Sequence, residues 1–355
     1  MNVDRRRFLS RVLALWPALA LPGAAARAQG FAGLAETARG FALPDPAGGF
    51  RFPRDHGPHP DFRIEWWYVT ANLRSADGTD YGVQWTLFRS SLRPPDRGGD
   101  APPQGWMGHA AISTPQMHLT TERLARGGIG QAGVTASPFA AWIDEWQLAG
   151  PSPAEMRMRA SGPDFAVDLR LATDRPFVPQ GRNGYSVKSA AGLASMYYSQ
   201  PFLRAEGRLT LPSGPVAVTG LGWMDREWSS QPLSPEQTGW DWFSLHLDGG
   251  AKLMGYRLRD AGGGAYVAAT WISPDGSPTP YDDGALGAEP LERARVAGRR
   301  IPVVWRLRLP DRGLDVTVRA LRPDSWMPLS VPYWEGPVAV SGSHDGIGFL
   351  EMTGY

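Results

Sequence analysis

Apolar and polar side chains alternate with a period of two along most of the chain, whereas 3.6-residue spacing is weak. Such alternation gives an extended segment one face for a core and another for solvent or a second layer. Ten runs carry the pattern and predict strands: 65–73, 81–89, 165–171, 204–211, 216–220, 242–247, 252–258, 265–271, 303–309 and 314–320. Asp77-Gly78, Ser213-Gly214, Asp248-Gly249, Asp275-Gly276 and Asp311-Arg312-Gly313 punctuate them as hairpin-type turns. Short helical pieces fit only 119–126, which ends at Gly127-Gly128, and 235–237. The expected fold class is all-β.

One internal similarity bears on architecture. Residues 65–73 (EWWYVTANL) align without gaps onto 239–247 (GWDWFSLHL), and each is followed by a Gly-containing turn and a strand ending in Phe88-Arg89 or Leu258-Arg259. The halves read as degenerate copies of one strand-turn-strand unit. A chain above about 250 residues also favours two cores over one. The polar, proline-containing stretch 229–238 separates them, giving expected domains of 29–230 and 231–355. Along the second copy, Trp240, Trp242, Ser244 and His246 project one way, and Asp241, Phe243, Leu245 and Leu247 the other. A barrel of about eight strands can hold one small ligand.

Composition narrows the function classes. Thirty-six basic residues stand against thirty-five acidic ones, which argues against nucleic acid or an anionic membrane surface as partner. With no cysteine, disulfides and thiolate chemistry are excluded. Tryptophan is the outlier: of fifteen, all but Trp16 follow residue 30, as suits aromatic-filled β interiors. The N-terminus reads as an export signal: Arg5-Arg6-Arg7-Phe8-Leu9 fits the twin-arginine pattern, 12–21 is apolar but too short to span a bilayer, and Ala26-Arg27-Ala28 offers cleavage. Residues 1–28 are thus expected to be removed and the mature protein to be periplasmic, an ordinary secretory signal being the alternative. No later run approaches about twenty apolar residues, so no integral membrane segment is expected after it.

The chain has no nucleophile elbow, phosphate-binding loop, dinucleotide fingerprint or His-Glu-x-x-His pair. Its candidate chemistry lies in Trp223-Met224-Asp225-Arg226-Glu227-Trp228, where an extended backbone puts Trp223, Asp225 and Glu227 on one face. A carboxyl pressed against indoles is disfavoured in its charged form, so it can serve as a general acid near neutral pH. The plainer alternative is that Arg226 or another arginine pairs these carboxylates structurally. Asp55, His56, His59, Asp61 and Glu65 are metal-compatible in type, but two histidines in a proline-rich loop are unspecific, and lid or capping roles are expected for them. Neither a metal nor a cofactor is expected. Trp66, Trp67 and Tyr68, like Tyr197-Tyr198, are core aromatics first and candidate ligand-stacking residues second.

Residues 59–68 (HPDFRIEWWY), 223–228 (WMDREW), 239–242 (GWDW) and 333–337 (YWEGP) together resemble the AttH-like predicted secreted hydrolases related to carotenoid 1,2-hydratase (hydroxyneurosporene synthase). The resemblance covers essentially the whole chain after residue 28. It implies two lipocalin-like β-barrel domains, handling of lipophilic molecules, and association with the permease of an ABC-type exporter. From its hydratase branch it implies protonation of an isolated carbon-carbon double bond and capture of the tertiary cation by water. Here Asp225 or Glu227 would be the acid and Tyr256 a proton relay, with Trp66, Trp67, Tyr68, Tyr198, Trp228, Trp240 and Trp242 as candidate ligand-binding aromatics. The hydratase branch carries histidine around this acidic segment, and residues 223–228 contain none. Three functions stay open: a carrier for a lipophile with Asp225 and Glu227 salt-bridged outside its cavity, a cofactor-independent hydratase with one of them unpaired in an aromatic pocket, or an interaction module with solid barrels.

Overall fold

The computed structural model describes residues 38–95 and 103–355; the export signal read at 1–28 lies outside them. Two antiparallel sheets and three short 3-10 turns make up its regular structure. All ten predicted runs lie in strands, Phe165 alone falling one residue before its strand, and burial alternates clearly in Ala166–Ala172 and Leu314–Ala320. The two helical expectations fail. His118–Arg126 is a strand, because hydrogen bonding to Gln104–Ser113 along its whole length outweighs the preference of Leu, Glu, Arg and Ala for helix. At 235–236 the chain only turns before the strand Gln237–Leu247 begins.

The first sheet runs from His118–Arg126 through Gln104–Ser113, Asp80–Ser91 and Ile64–Ser75 to Gly214–Ser229. It continues through Ala194–Leu211, Ala166–Ala172, Glu155–Ser161, Trp146–Ser152 and Phe139–Ile143 to Ala132–Ala136. It curls into a nearly closed barrel. Its edge strand His118–Arg126 reaches the turn before Trp146–Ser152 through side chains: Arg123 lies 2.6 Å from Glu145 and 4.8 Å over the Trp146 ring. The second sheet, a half-barrel, has Pro278–Tyr281, Ala265–Ile272, Lys252–Asp260, Gln237–Leu247, Gly346–Met352, Tyr333–Gly342, Leu314–Ala320, Arg299–Leu309 and Gly287–Val296 in that order. These are two lipocalin-like domains.

The sequence repeat has a topological counterpart. Ile64–Ser75 and Gln237–Leu247 each pair with the strand that follows, and each pairs on its other side with the last long strand of its own sheet, Gly214–Ser229 or Gly346–Met352. Odd-numbered side chains of both copies point into their own core. Trp67, Val69 and Ala71 join Trp85, Trp146 and Leu169 in the first barrel, while Phe243 and Leu245 join Trp305, Trp334 and Leu350 in the second. Large side chains therefore fill both lumens.

Even-numbered side chains of the copies point outward, toward the other domain. Tyr68, Tyr197, Trp223, Trp242, Tyr256 and Phe349 form a third core between the sheets. Close approach there needs glycine at 82, where a Cβ would lie 2.7 Å from the Pro337 ring. Asn72 Nδ2 donates across the seam to the Gly348 carbonyl at 2.8 Å.

Candidate active site

Beside this third core lies a cavity of about 500 Å³, walled mainly by apolar surface. Period-two geometry supplies it from both domains: Trp66 and Tyr68, Asp225 and Glu227, Trp240 and Trp242 come in pairs two residues apart. Tyr256, Tyr197, His109, Tyr333, Glu351 and Lys188 add to its polar lining, as do Glu65 and Arg89. A larger open depression of about 1080 Å³ on the first sheet is lined by Arg157, Asp168, Arg170 and Glu206, which take part in surface ion pairs. That depression concentrates no unpaired chemistry of the kind found between the domains.

Asp225 is 3 % exposed and forms no ion pair among the described residues. Three neutral donors hold it: Ser199 Oγ at 2.5 Å, Trp223 Nε1 at 2.7 Å and the Tyr197 hydroxyl at 2.8 Å. Trp242 Nε1 steadies that hydroxyl from the second domain at 3.2 Å. Burial pushes the Asp225 carboxyl up to about 7 against the three hydrogen bonds, and the charge of Glu227 adds to the rise. Glu227 differs, since it accepts from Ser195 Oγ and from Lys188 Nζ at 3.0 Å. The Lys188 ammonium also lies 4.3 Å over the Tyr256 ring. Environment thus separates two carboxylates that the sequence alone left equal, and it is Asp225 that can carry a proton near neutral pH. Tyr256 donates to the Val187 carbonyl at 2.5 Å and meets Ser186 Oγ at 3.2 Å, so its hydroxyl is engaged by the chain.

Two more carboxyls stand on the second-domain side. Glu351 accepts from Trp240 Nε1 at 2.5 Å, and burial lifts it to about 7, with the charges of Asp225 and Glu227 in the same direction. Glu335 Oε1 accepts from the Tyr68 hydroxyl at 2.5 Å, while its Oε2 has no hydrogen-bond partner among the described residues. Burial and the Glu351 charge hold it well above the usual carboxylate range. His109 links Tyr333, at 3.0 Å, to the half-buried Glu122, at 3.1 Å. The spacing of motifs gave no signal for Lys188, His109 or Glu351. Tyr333 and Glu335 belong to the 333–337 motif that carries the family resemblance.

Three of the expected ligand-binding aromatics lie elsewhere. Trp67 points into the first barrel beneath the Arg226 guanidinium, 3.9 Å from its ring, and donates to the His56 carbonyl at 2.9 Å. Tyr198 and Trp228 sit in a separate cluster with Met196, Tyr198 bonding His56 Nδ1 at 2.7 Å and Trp228 stacking on His59 at 3.8 Å. Arg226 pairs with neither Asp225 nor Glu227. Its partner is the fully buried Glu65, which also binds Arg89. Burial works to raise the Glu65 carboxyl, but Arg226 and Arg89 override it and hold it far below the usual range. This network ties His59 and the Gly57 carbonyl to the barrel, a structural use of the histidine loop.

Fold and site together define a two-domain lipocalin-like protein with its buried carboxyls at the domain seam. The AttH-like family model matches residues 44–355, and the chain belongs to that family. It is similar to the crystal structure of an AttH protein from Nitrosomonas europaea, with 31 % identity and a TM-score of 0.80, covering 89 % of this chain and 99 % of that one. Its fold is shared by kievitone hydratase from Nectria haematococca, at 15 % identity and TM-score 0.67 over 88 % of this chain and 95 % of that one. CghA, solved with Sch210972, has the fold at 14 % identity and TM-score 0.56, covering 90 % of this chain and 97 % of that one. No functionally curated protein matches the sequence.

Proposed function

We propose that the protein is a cofactor-independent hydratase for a lipophilic alkene, with Asp225 as its general acid. The observation that carries this reading is a buried carboxyl, held by three neutral donors and no cation, facing an aromatic cavity. Asp225 gives its proton to one carbon of an isolated double bond, the tertiary cation forms at the other, and water adds its oxygen there. The faces of Trp66, Trp240 and Trp242 lower the energy of the cation, as π systems do for positive charge. General acid catalysis of this kind contributes about 10²–10⁴ in rate. A hydratase on the same fold and the family's hydratase branch support the choice of reaction.

The test is incubation of the mature protein with a panel of isoprenoid alkenes, squalene and geranylgeraniol among them, in ¹⁸O-water. The expected result is one product heavier by labelled water, lost in Asp225→Asn while the melting temperature does not fall. Full turnover by that variant removes Asp225 as the acid. Tight binding of a panel alkene without hydration replaces the enzyme reading with carriage.

A further inference from the structure

We infer that Glu351 is a second catalytic carboxyl, the counterpart of Asp225 in the duplicated half, and that it takes the proton from the water that captures the cation. The inference rests on the reading of Asp225 as the acid.

Strand register carries the argument. Asp225 stands directly across from Tyr68 in the pairing of Ile64–Ser75 with Gly214–Ser229. Glu351 stands directly across from Trp242 in the pairing of Gln237–Leu247 with Gly346–Met352. Tyr68 and Trp242 occupy the same position of the internal repeat, so the two carboxyls are equivalent by topology. The two rings meet edge to face at 5.3 Å across the seam, which brings the equivalent positions of both domains to one cavity. The copies also share a mode of holding the acid: an indole N–H donates to each, Trp223 to Asp225 at 2.7 Å and Trp240 to Glu351 at 2.5 Å.

Among the described residues no cation pairs with Glu351, and the Arg89 guanidinium in the cavity lining is taken by Glu65. Asp225 and Glu227 face it from Gly214–Ser229, Glu335 and Tyr333 from Tyr333–Gly342, and Tyr68 from Ile64–Ser75. The ammonium in the lining, Lys188, is bound to Glu227. Like charges sharing a poorly solvated site do not both ionise at neutral pH, so one carboxyl keeps a proton while the other is free to accept one. In the step itself, the Asp225 O–H bond breaks and a C–H bond forms. The water oxygen then bonds the cationic carbon and its proton passes to the Glu351 carboxylate. Asp225 ends ionised, Glu351 protonated, and exchange with solvent after product release restores the pair.

Each indole N–H reports its own carboxyl, so the test starts on substrate-free protein with ¹⁵N-labelled tryptophan, resonances assigned by Trp223→Phe and Trp240→Phe. Both resonances are expected to titrate near neutral pH, with the Trp240 midpoint falling by about one pH unit in Asp225→Asn as coupled sites require. A Trp240 midpoint near 4.5, or one unmoved by Asp225→Asn, overturns the inference and leaves Asp225 standing. A Trp223 midpoint near 4 sinks the reading of Asp225 itself. With the panel alkene that gains water, Glu351→Gln is expected to lower kcat about 100-fold or more and to erase the acid limb of a bell-shaped pH profile, and Glu351→Asp to restore that limb. An intact bell in Glu351→Gln beside a dead Asp225→Asn refutes the second carboxyl alone.

Discussion

Replacing Asp225 by Asn is expected to stabilise the protein in alkaline solution while removing its activity. The carboxyl moves from an ordinary 3.8 to about 7 on folding, roughly three units. Between those values the folded chain holds a proton that the unfolded chain has released. The contribution is therefore full below about pH 4, declines as pH rises through about 7, and stays lost above it. At about 1.36 kcal/mol per unit, the wild type forfeits up to about 4 kcal/mol by about pH 8.5. Asn has no proton to lose. Its carbonyl, at the Oδ1 position, still accepts from Trp223 and Ser199, but its amide faces the Tyr197 hydroxyl, whose reorientation costs about 1 kcal/mol. The balance is a variant within about 1 kcal/mol of wild type near pH 5 and about 3 kcal/mol more stable near pH 8.5. Urea unfolding at the two pH values and constant ionic strength measures it. An equal or lower stability of the variant near pH 8.5 would mean that folded Asp225 ionises like an ordinary carboxylate, and the acid role would go with it.

Three further outcomes follow from other parts of the molecule. Glu65→Gln strands Arg226 and Arg89 beside a neutral group and should cost about 3–5 kcal/mol in denaturant unfolding, against near zero if the network is dispensable. Burial lowers His56 to about 4, the Arg226 charge adding to it, and lowers His118 to about 3, with Arg322 adding; it also holds His246 well below 6.5. All three have folded values below the unfolded one, so their contribution is present above about pH 6.5 and lost as pH falls, and circular dichroism should show cooperative unfolding on acidification. Changing Arg5 and Arg6 to Lys should leave uncleaved precursor in the cytoplasm, whereas unaltered periplasmic yield would point to the ordinary secretory route.

Much of the fold was legible because period-two alternation is a local property. Segments such as Phe139–Ile143 and Gly287–Val296 gave no comparable signal. The first is short, and the second is largely exposed and rich in Glu and Arg, so pairing with a neighbour decides its conformation. Tertiary pairing likewise overrode local preference at His118–Arg126. In the site, parity separates Trp66 and Tyr68 from Trp67, and Asp225 from Trp228, once the strand is known to run unbroken through all of them. Glu351 was not legible. In Phe349-Leu350-Glu351-Met352 it looks like the solvent-facing residue of an ordinary strand, and only its register opposite Trp242 reveals what it faces.

The location of the cavity follows from the duplication. Odd-numbered positions of the copies, Trp67, Val69, Ala71 and Leu73 in one and Phe243, Leu245 and Leu247 in the other, fill their own barrels. A filled lumen cannot also hold a ligand of cavity size, so the outward, even-numbered face is where binding can evolve. Placed alone, that face would expose Trp66, Tyr68, Trp240 and Trp242 to water, an apolar patch that docking of the two domains removes. Docking also takes Asp225 and Glu351 out of bulk water from opposite sides at once, and that desolvation raises their affinity for protons. Burial of the seam and proton retention at the site are consequently one physical event: a change that loosens the domain contact would lower both pKa values and leave Asp225 ionised near neutral pH before either barrel lost its core.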